Sequence, residues 1–99
     1  HKDLAPYKAA VLPLSKKDEL IAPSNKIADV LREHMYIDVD VTQGIGKRYR
    51  RQDEIGTPYC ITVDFDTLED NAVTIRERDS TEQVRVPIDN VLKYLQGEI

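Results

Sequence analysis

The sequence predicts an α/β fold: a single domain with one five-stranded mixed β-sheet flanked by three α-helices. Three observations lead to this prediction. Short apolar or alternating segments recur along the chain, segments with helical apolar spacing separate several of them, and glycines or prolines stand at many of the boundaries. Ninety-nine residues are enough for one modest hydrophobic core, so we expect the domain to span residues 1–99.

The first half of the chain predicts a β-α-β unit. Residues 8–14 contain an unbroken Ala-Ala-Val-Leu run, which favours a strand covered on both faces. Apolar residues at helical spacing predict a helix over residues 23–34. The ring of Pro23 suits a first helical turn and argues against an unbroken helix from Asp18. Residues 37–41 alternate strictly, which indicates a second strand, parallel to the first, after a right-handed crossover.

The second half of the chain predicts a basic helix, three strands and a final helix. Gly56 ends the basic helix, and an acidic, turn-rich connection is expected at residues 64–71. The last two strands form a hairpin. These elements are expected at residues 46–55, 59–63, 72–78, 82–86 and 88–96.

Composition narrows the class of protein. Hydrophobic residues make up 40% of the chain and charged residues 32%, as in soluble globular domains and unlike disordered or collagen-like chains. No apolar run approaches the ~18 residues of a membrane span, and no secretion signal is visible. The single cysteine, Cys60, cannot form an internal disulfide and lies in an apolar segment, which favours a buried structural role and a cytoplasmic location.

Candidate catalytic and metal sites are weak. His34 and Cys60 are too few for a zinc site, and neither histidine stands where it would activate the cysteine. The pairs Asp38/Asp40 and Asp64/Asp66 have the chemistry for acid–base catalysis or Mg²⁺ binding, but solvated strand faces and turn caps explain them more simply. We therefore expect no catalytic residue, metal or cofactor in this chain.

The densest feature is a basic cluster at residues 47–51. Four of these five residues are cationic, on a chain with a formal net charge of −4. Such a run is commonly only a solvated helix face. Its contrast with the acidic background, its tyrosine and its place at a helix start also suit binding of phosphate or an RNA backbone.

Several segments resemble one family. Residues 45–66 (IGKRYRRQDEIGTPYCITVDFD), 73–80 (VTIRERDS) and 82–87 (EQVRVP) are similar to the C-terminal anticodon-binding domain of dimeric class II glycyl-tRNA synthetases. Residues 4–8 (LAPYK) and 11–14 (VLPL) resemble the entry to that domain. The resemblance covers almost the whole chain, and the fold that it implies agrees with the pattern of elements above.

The resemblance implies a function. In the parent enzyme a separate catalytic domain activates glycine with ATP and Mg²⁺ and esterifies it to tRNA, while this domain recognises the anticodon arm of the glycine tRNA. The parent is expected to be a homodimer, with no membrane or DNA partner. None of the class II catalytic motifs is present, so the chain is not expected to aminoacylate tRNA by itself.

Glycine anticodons carry two cytosines, and the pairing edge of cytosine offers one donor and two acceptors. A carboxylate beside a guanidinium matches that edge. The predicted base contacts are Thr42, Gln43, Asp66, Glu69, Arg76 and Arg78, and the predicted RNA backbone contacts are Lys47, Arg48, Arg50 and Arg51. The competing interpretation of Arg76 is a cross-strand ion pair with Glu77 or Glu82.

Two other functions compete with this one. A related domain could serve as a structural or processivity subunit of a nucleic-acid enzyme, and the chain could be a small stand-alone enzyme. The long string at residues 45–66 favours the synthetase domain over the first alternative. The lack of a nucleophile–base pair or cofactor loop argues against the second.

Overall fold

A computed structural model describes residues 8–15, 17–39, 50, 52, 54 and 56–97 of the chain. These residues form the predicted five-stranded mixed sheet with helices packed on it. The strands are β1 (Ala9–Pro13), β2 (Ile37–Val39), β3 (Tyr59–Val63), β4 (Ala72–Glu77) and β5 (Gln83–Pro87). The helices are α1 (Asp18–Arg32), α2 (Thr67–Asp70) and α3 (Val91–Leu95). Arg50, Gln52 and Glu54 are also helical, and a 3₁₀ turn, Ile88–Asn90, leads into α3.

The strand order is β2-β1-β3-β4-β5. Strand β1 runs parallel to both β2 and β3, and β4 is antiparallel to β3 and β5. The predicted parallel pairing of the first two strands and the predicted C-terminal hairpin are both confirmed. Strand β3 lies at the centre of the sheet, and the segments before and after it lie at opposite ends of the strands.

Strands β1 and β3 are buried on both faces of the sheet, whereas most of β5 is exposed. Every residue of β1 is buried, as the continuous apolar run predicts. One face packs against α1 and α3 and is called the α1 face; its residues include Val11, Ile61 and Ile75. The opposite face carries a second apolar cluster of Ala10, Leu12 and Cys60 and is called the Cys60 face. Cys60 is thus a buried structural cysteine, as expected.

Helix α1 corrects one prediction. The helix starts at Asp18 and continues through Pro23, whereas the ring of Pro23 was expected to exclude such an unbroken helix. Burial explains the difference: Leu20, before the proline, is fully buried in the core that also holds Leu31 near the helix end. The hydrogen bond that Pro23 cannot donate would end on the carbonyl of Glu19, an exposed residue that water can reach.

The other boundaries differ by small amounts. The acidic connection contains the one-turn helix α2, which ends at Asn71 in a left-handed conformation (φ 53°). The last helix starts as a 3₁₀ turn and is followed by Gly97 with φ 78°. Within the helix predicted at residues 46–55, Arg50, Gln52 and Glu54 are helical. The other positions of that helix lie outside the described residues.

We expect Pro23→Ala to stabilise the chain. Alanine restores the missing helical hydrogen bond and removes the ring, and proline in a helix interior is about 3 kcal/mol less favourable than alanine. The greater freedom of the unfolded alanine chain offsets part of that gain. Urea unfolding followed by far-UV circular dichroism should show a higher midpoint. Asn25→Ala, on the exposed part of the same helix, is the control and should change stability much less. An unchanged or lower midpoint for Pro23→Ala would contradict this account of α1.

Candidate nucleic-acid interface

The four predicted base-contacting residues that the structure describes lie at two different ends of β3. Arg76 pairs in register with Cys60, near the start of β3, while Asp66 and Glu69 follow its last residue. Arg76 lies four residue steps along β4 from Ala72, where the strand begins, which is about 13 Å. The structure therefore does not bring Arg76 and Glu69 side by side, and the register separates the guanidinium from the carboxylate that together were expected to hold one cytosine.

Arg76 is half-buried and lies on the Cys60 face, because its neighbour Ile75 is buried on the α1 face. Arg78 lies just beyond the end of β4. Its Nη1 donates to the carbonyl of Gly56 at 2.7 Å, and its Nε contacts the Asp79 carboxylate at 3.0 Å. Arg78 thus ties the β4–β5 hairpin to the segment that follows the basic helix through its Nη1 and Nε atoms.

A buried glutamine anchors the helical residues to the sheet. Gln52 is 0% exposed, and its Nε2 donates to Oδ2 of Asp38 on β2 at 3.0 Å. Its Oε1 accepts from Oγ1 of Thr57 at 2.7 Å, and its carbonyl accepts from the amides of Gly56 and Thr57. Asp38, expected on a solvated face, is therefore half-buried and bonded.

Arg50 lies on the outside of the same helical segment. It is exposed, whereas Gln52, about 200° further round a helix, is buried. The segment therefore has the basic outer face that the spacing predicts at this position. Five other predicted contacts, namely Thr42, Gln43, Lys47, Arg48 and Arg51, lie outside the described residues.

The loop after β3 is a folded unit, here called the 64–71 loop. Asp64 and Thr67 bond each other reciprocally: the amide and hydroxyl of Thr67 donate to Oδ1 of Asp64, and the Asp64 amide donates to the Thr67 hydroxyl, at 3.0–3.1 Å. The Asp66 carbonyl accepts from the amides of Glu69 and Asp70. These bonds fix a single helical turn and leave Asp66 and Glu69 exposed on it.

The same loop exposes an aromatic ring that the sequence-based prediction missed. Phe65 is 42% exposed, and the ammonium of Lys17 lies 5.6 Å from the ring centroid. Leu68, one turn away, is also exposed. A ring open to solvent beside carboxylates and a cation has the composition of a base-stacking surface for single-stranded nucleic acid. The run Val-Asp-Phe-Asp gave no sign of this, because the exposure follows from the tight turn.

Arg85 holds the 64–71 loop from two strands away. Its Nη1 donates to Asp64 Oδ2 and to Thr74 Oγ1, both at 3.1 Å. Its Nη2 donates to both carboxylate oxygens of Asp70 at 3.1 and 3.2 Å and to Asp64 Oδ1 at 3.3 Å. Sequence periodicity places Arg85 on a strand face and cannot show these long-range partners.

These contacts shift the proton affinities of the three charged groups. Burial works to raise the pKa of Asp64, but hydrogen bonds from Arg85 and Thr67 outweigh it and the pKa is lowered. Hydrogen bonds from Arg85 and from the backbone amide of Ala72 lower the pKa of Asp70. Burial opposes the charge of Arg85, yet the two carboxylates raise its pKa. The cluster is therefore most stable with all three groups ionised.

The rest of the described surface shows other features away from these residues. A groove of about 580 Å³ lies between α1 and α3, on the α1 face. Its apolar lining includes Ile27, Val30, Leu31, Ile88, Val91 and Leu92. Among the described residues, no cluster of three or more His, Cys, Asp or Glu side chains could hold a metal ion, and no helix is long and apolar enough to cross a membrane.

Comparison with known protein families decides the classification. Residues 8–98 match the family described as "Anticodon binding domain". The chain belongs to this family. The resemblance drawn from residues 45–66, 73–80 and 82–87 is thereby confirmed at the level of the domain.

The curated relatives of this anticodon-binding domain are ligases. It is 62% identical over 96 residues to glycine–tRNA ligase of Corynebacterium efficiens. The aligned region covers 97% of this chain and 21% of the ligase. It is also 62% identical over 99 residues to glycine–tRNA ligase of Staphylococcus epidermidis, which covers 100% of this chain and 21% of the ligase. The chain therefore spans about a fifth of the length of these relatives.

Solved structures share the fold of this anticodon-binding domain. Prolyl-tRNA synthetase from Cryptosporidium parvum superposes with a TM-score of 0.85 at 20% identity, over 95% of this chain and 22% of that one. The RNA-binding domain of threonyl-tRNA synthetase from the same organism gives a TM-score of 0.83 at 21% identity, over 94% and 24% of the two chains. At these identities the similarity establishes the fold.

The lowered pKa values predict an acid-sensitive contribution to stability. Groups with lowered folded pKa values stabilise the fold above their unfolded pKa, about 3.9 for aspartate, and the contribution is lost as the pH falls through the folded values. The free energy of unfolding should therefore fall as the pH drops below about 5, and Arg85→Gln should make that fall less steep. Urea unfolding at several pH values measures this slope. Arg32→Gln, which removes only an exposed contact to Asp29, should keep the wild-type slope; an unchanged slope in Arg85→Gln would refute the assignment.

Proposed function

We propose that the chain is the anticodon-binding domain of a glycine–tRNA ligase and that it holds the anticodon arm of the glycine tRNA. Identity of 62% along the whole chain with glycine–tRNA ligases carries this proposal. The catalytic domain of the parent would attach glycine with ATP and Mg²⁺, and the parent would act as a cytoplasmic homodimer. The matches to ligases favour this function over a structural subunit of another nucleic-acid enzyme.

The 64–71 loop supplies the first part of the recognition surface. Unpaired anticodon bases can stack on aromatic rings and present their pairing edges. Phe65 offers an exposed ring, and the exposed carboxylates of Asp66 and Glu69 lie on the same turn. A carboxylate can accept the amino hydrogen that distinguishes cytosine from uracil. This loop is therefore suited to reading a cytosine.

The opposite end of β3 supplies the second part. Arg76 lies about 13 Å along β4 from Ala72, where the 64–71 loop enters the strand. Arg78 follows at the β4–β5 hairpin. Because this separation exceeds the length of a base edge, we assign the arginines and the carboxylates to different nucleotides of the anticodon loop. Arg78 would contribute through its Nη2 group, since Nη1 and Nε hold Gly56 and Asp79.

The basic helix would supply phosphate contacts. Arg50 is exposed on the outer side of a helical segment that Gln52 anchors to the sheet. On a chain with net charge −4, a local basic strip would orient the RNA backbone toward this segment. Lys47, Arg48 and Arg51 belong to the same proposed strip.

We expect Glu69→Ala and Arg76→Ala to relax specificity at different anticodon positions. Each should cost about 1–3 kcal/mol of discrimination against a wrong base, and the double variant should be additive because the sites are far apart. The measurement is charging, by the ligase that carries this domain, of glycine tRNAs substituted singly at each anticodon cytosine. Lys93→Ala, on α3, is the exposed control and should leave discrimination unchanged.

The result that would contradict this assignment is equal loss on native and substituted tRNAs. If Arg76→Ala lowers thermal stability and leaves anticodon preference intact, Arg76 has a structural role, as in the cross-strand ion-pair interpretation.

We expect Arg50→Ala to weaken binding of all anticodon sequences about equally. A phosphate contact carries no sequence information, and its loss should lower the slope of log K against log salt by about 1. Titration of an anticodon stem–loop at several salt concentrations measures this slope. Arg32→Ala, an exposed arginine on α1, is the matched control. A loss confined to one anticodon would show that Arg50 contacts a base.

A further inference from the structure

Arg85 links three parts of the fold that are distant in the sequence. It starts on β5 beside its register partner Thr74 on β4, and it ends at Asp64, which follows β3. Strands β5 and β3 are separated by two strand spacings, about 10 Å. The arginine therefore crosses the outer face of β4 to hold the 64–71 loop, which also bonds through Asp70 to the amide of Ala72 at the start of β4.

The guanidinium fits this arrangement because of its geometry. Nη1 and Nη2 each donate to Asp64, Nη1 also donates to Thr74, and Nη2 donates to both oxygens of Asp70. Five contacts within 3.1–3.3 Å need a planar fork of N–H donors, which lysine lacks. Asp64 is bound bidentately, with one of its oxygens on Nη1 and the other on Nη2. Both oxygens of Asp70 accept from Nη2 alone.

Arg85 also prevents repulsion inside the loop. Asp64 and Asp70 stand at its two ends, and each brings a negative charge to the same guanidinium. Asp64 bonds to Thr67, and Asp70 bonds to the amide of Ala72, so movement of either carboxylate would disturb the turn between them. The exposed residues Phe65 and Glu69 lie on that turn.

We propose that Arg85 is a positioning residue for anticodon recognition: it fixes the 64–71 loop so that Phe65, Asp66 and Glu69 meet the RNA in one geometry. The proposal rests on the proposed function. Arg85 acts through the loop and needs no contact with RNA, since its Nη1 and Nη2 groups donate to the loop and to Thr74.

The decisive experiment compares Arg85→Gln and Arg85→Lys in the ligase that carries this domain. The quantity is the ratio of kcat/KM for the native glycine tRNA to that for a tRNA with one anticodon cytosine replaced. We expect Arg85→Gln to lower this ratio at least tenfold at temperatures where the variant is fully folded. Arg85→Lys should recover only part of the ratio, because it restores the charge without the fork. Arg32→Gln, the matched control, should keep the wild-type ratio.

A double-mutant cycle separates positioning from a direct role. If Arg85 acts through the loop, Arg85→Gln should add little to the loss of discrimination caused by Glu69→Ala. The salt slope of tRNA binding should also stay at its wild-type value, because no phosphate contact is lost. Additive losses, or a slope lowered by about 1 as for a phosphate contact, would overturn the proposal.

A milder variant guards against misfolding. Asp70→Asn keeps the side-chain oxygen that accepts from Ala72 and removes the charge that faces Arg85. It should lower the discrimination ratio by a smaller factor and speed hydrogen exchange at the amides of Glu69 and Asn71. Equal loss on both tRNAs in the folded variants would overturn the positioning role. Failure of the wild-type ligase to discriminate the two tRNAs would instead overturn the proposed function.

Discussion

The burial of β1 on both faces is the constraint on which the rest of the structure depends. Ala9 and Ala10 are adjacent, 0% exposed, and point to opposite faces of the sheet. Small side chains there let packed elements approach the backbone closely, and the parallel pairing with β3 fixes the register of the central strand. That register in turn determines where the chain leaves each end of β3, and therefore where both parts of the proposed recognition surface lie.

In the proposed function, the two ends of β3 carry different chemical groups for contact with RNA. The loop after the strand carries carboxylates and an exposed ring, while the opposite end carries arginines from β4 and the hairpin. In such a surface Arg85 offsets one of the two negative charges that Asp64 and Asp70 place beside it, so the net charge of this cluster changes from −2 to −1. In the proposed function, the carboxylates of Asp66 and Glu69 would accept hydrogen bonds from a base.

Sequence patterns predicted much of the fold. The alternation of Val73 and Ile75, and the continuous apolar run of β1, identified strands because burial on a pleated sheet has a period of two. The start of α1 was predicted incorrectly because the local preference of Pro23 was weighed without the burial of Leu20, a tertiary contact. Burial of Leu20, which precedes Pro23, outweighs the low helix propensity of that proline.

The candidate site was less accessible to sequence reasoning. Its residue types could be chosen by chemistry, but the separation of Arg76 from Glu69 depends on strand direction and register. Gln52 and Arg85 were missed because each binds partners from distant segments. The hydrogen bond from Gln52 to Asp38 joins residues 14 positions apart, and the contact of Arg85 with Asp64 joins residues 21 positions apart. One signal was available for Gln52: in the predicted helix over residues 46–55 it follows Tyr49 by three positions and so shares the face of that ring, where an unpartnered amide would be costly.

The anchoring of Gln52 has a consequence for how the surface responds to its surroundings. A neutral amide, sealed from water, joins the basic segment to the sheet, whereas exposed ion pairs hold the 64–71 loop. Dissolved ions screen exposed charges and have little access to a sealed amide. Rising ionic strength would therefore weaken the ion pairs of Arg85 that hold the 64–71 loop. It would have little effect on the hydrogen bonds of Gln52 that hold Arg50 and its helical segment on the sheet.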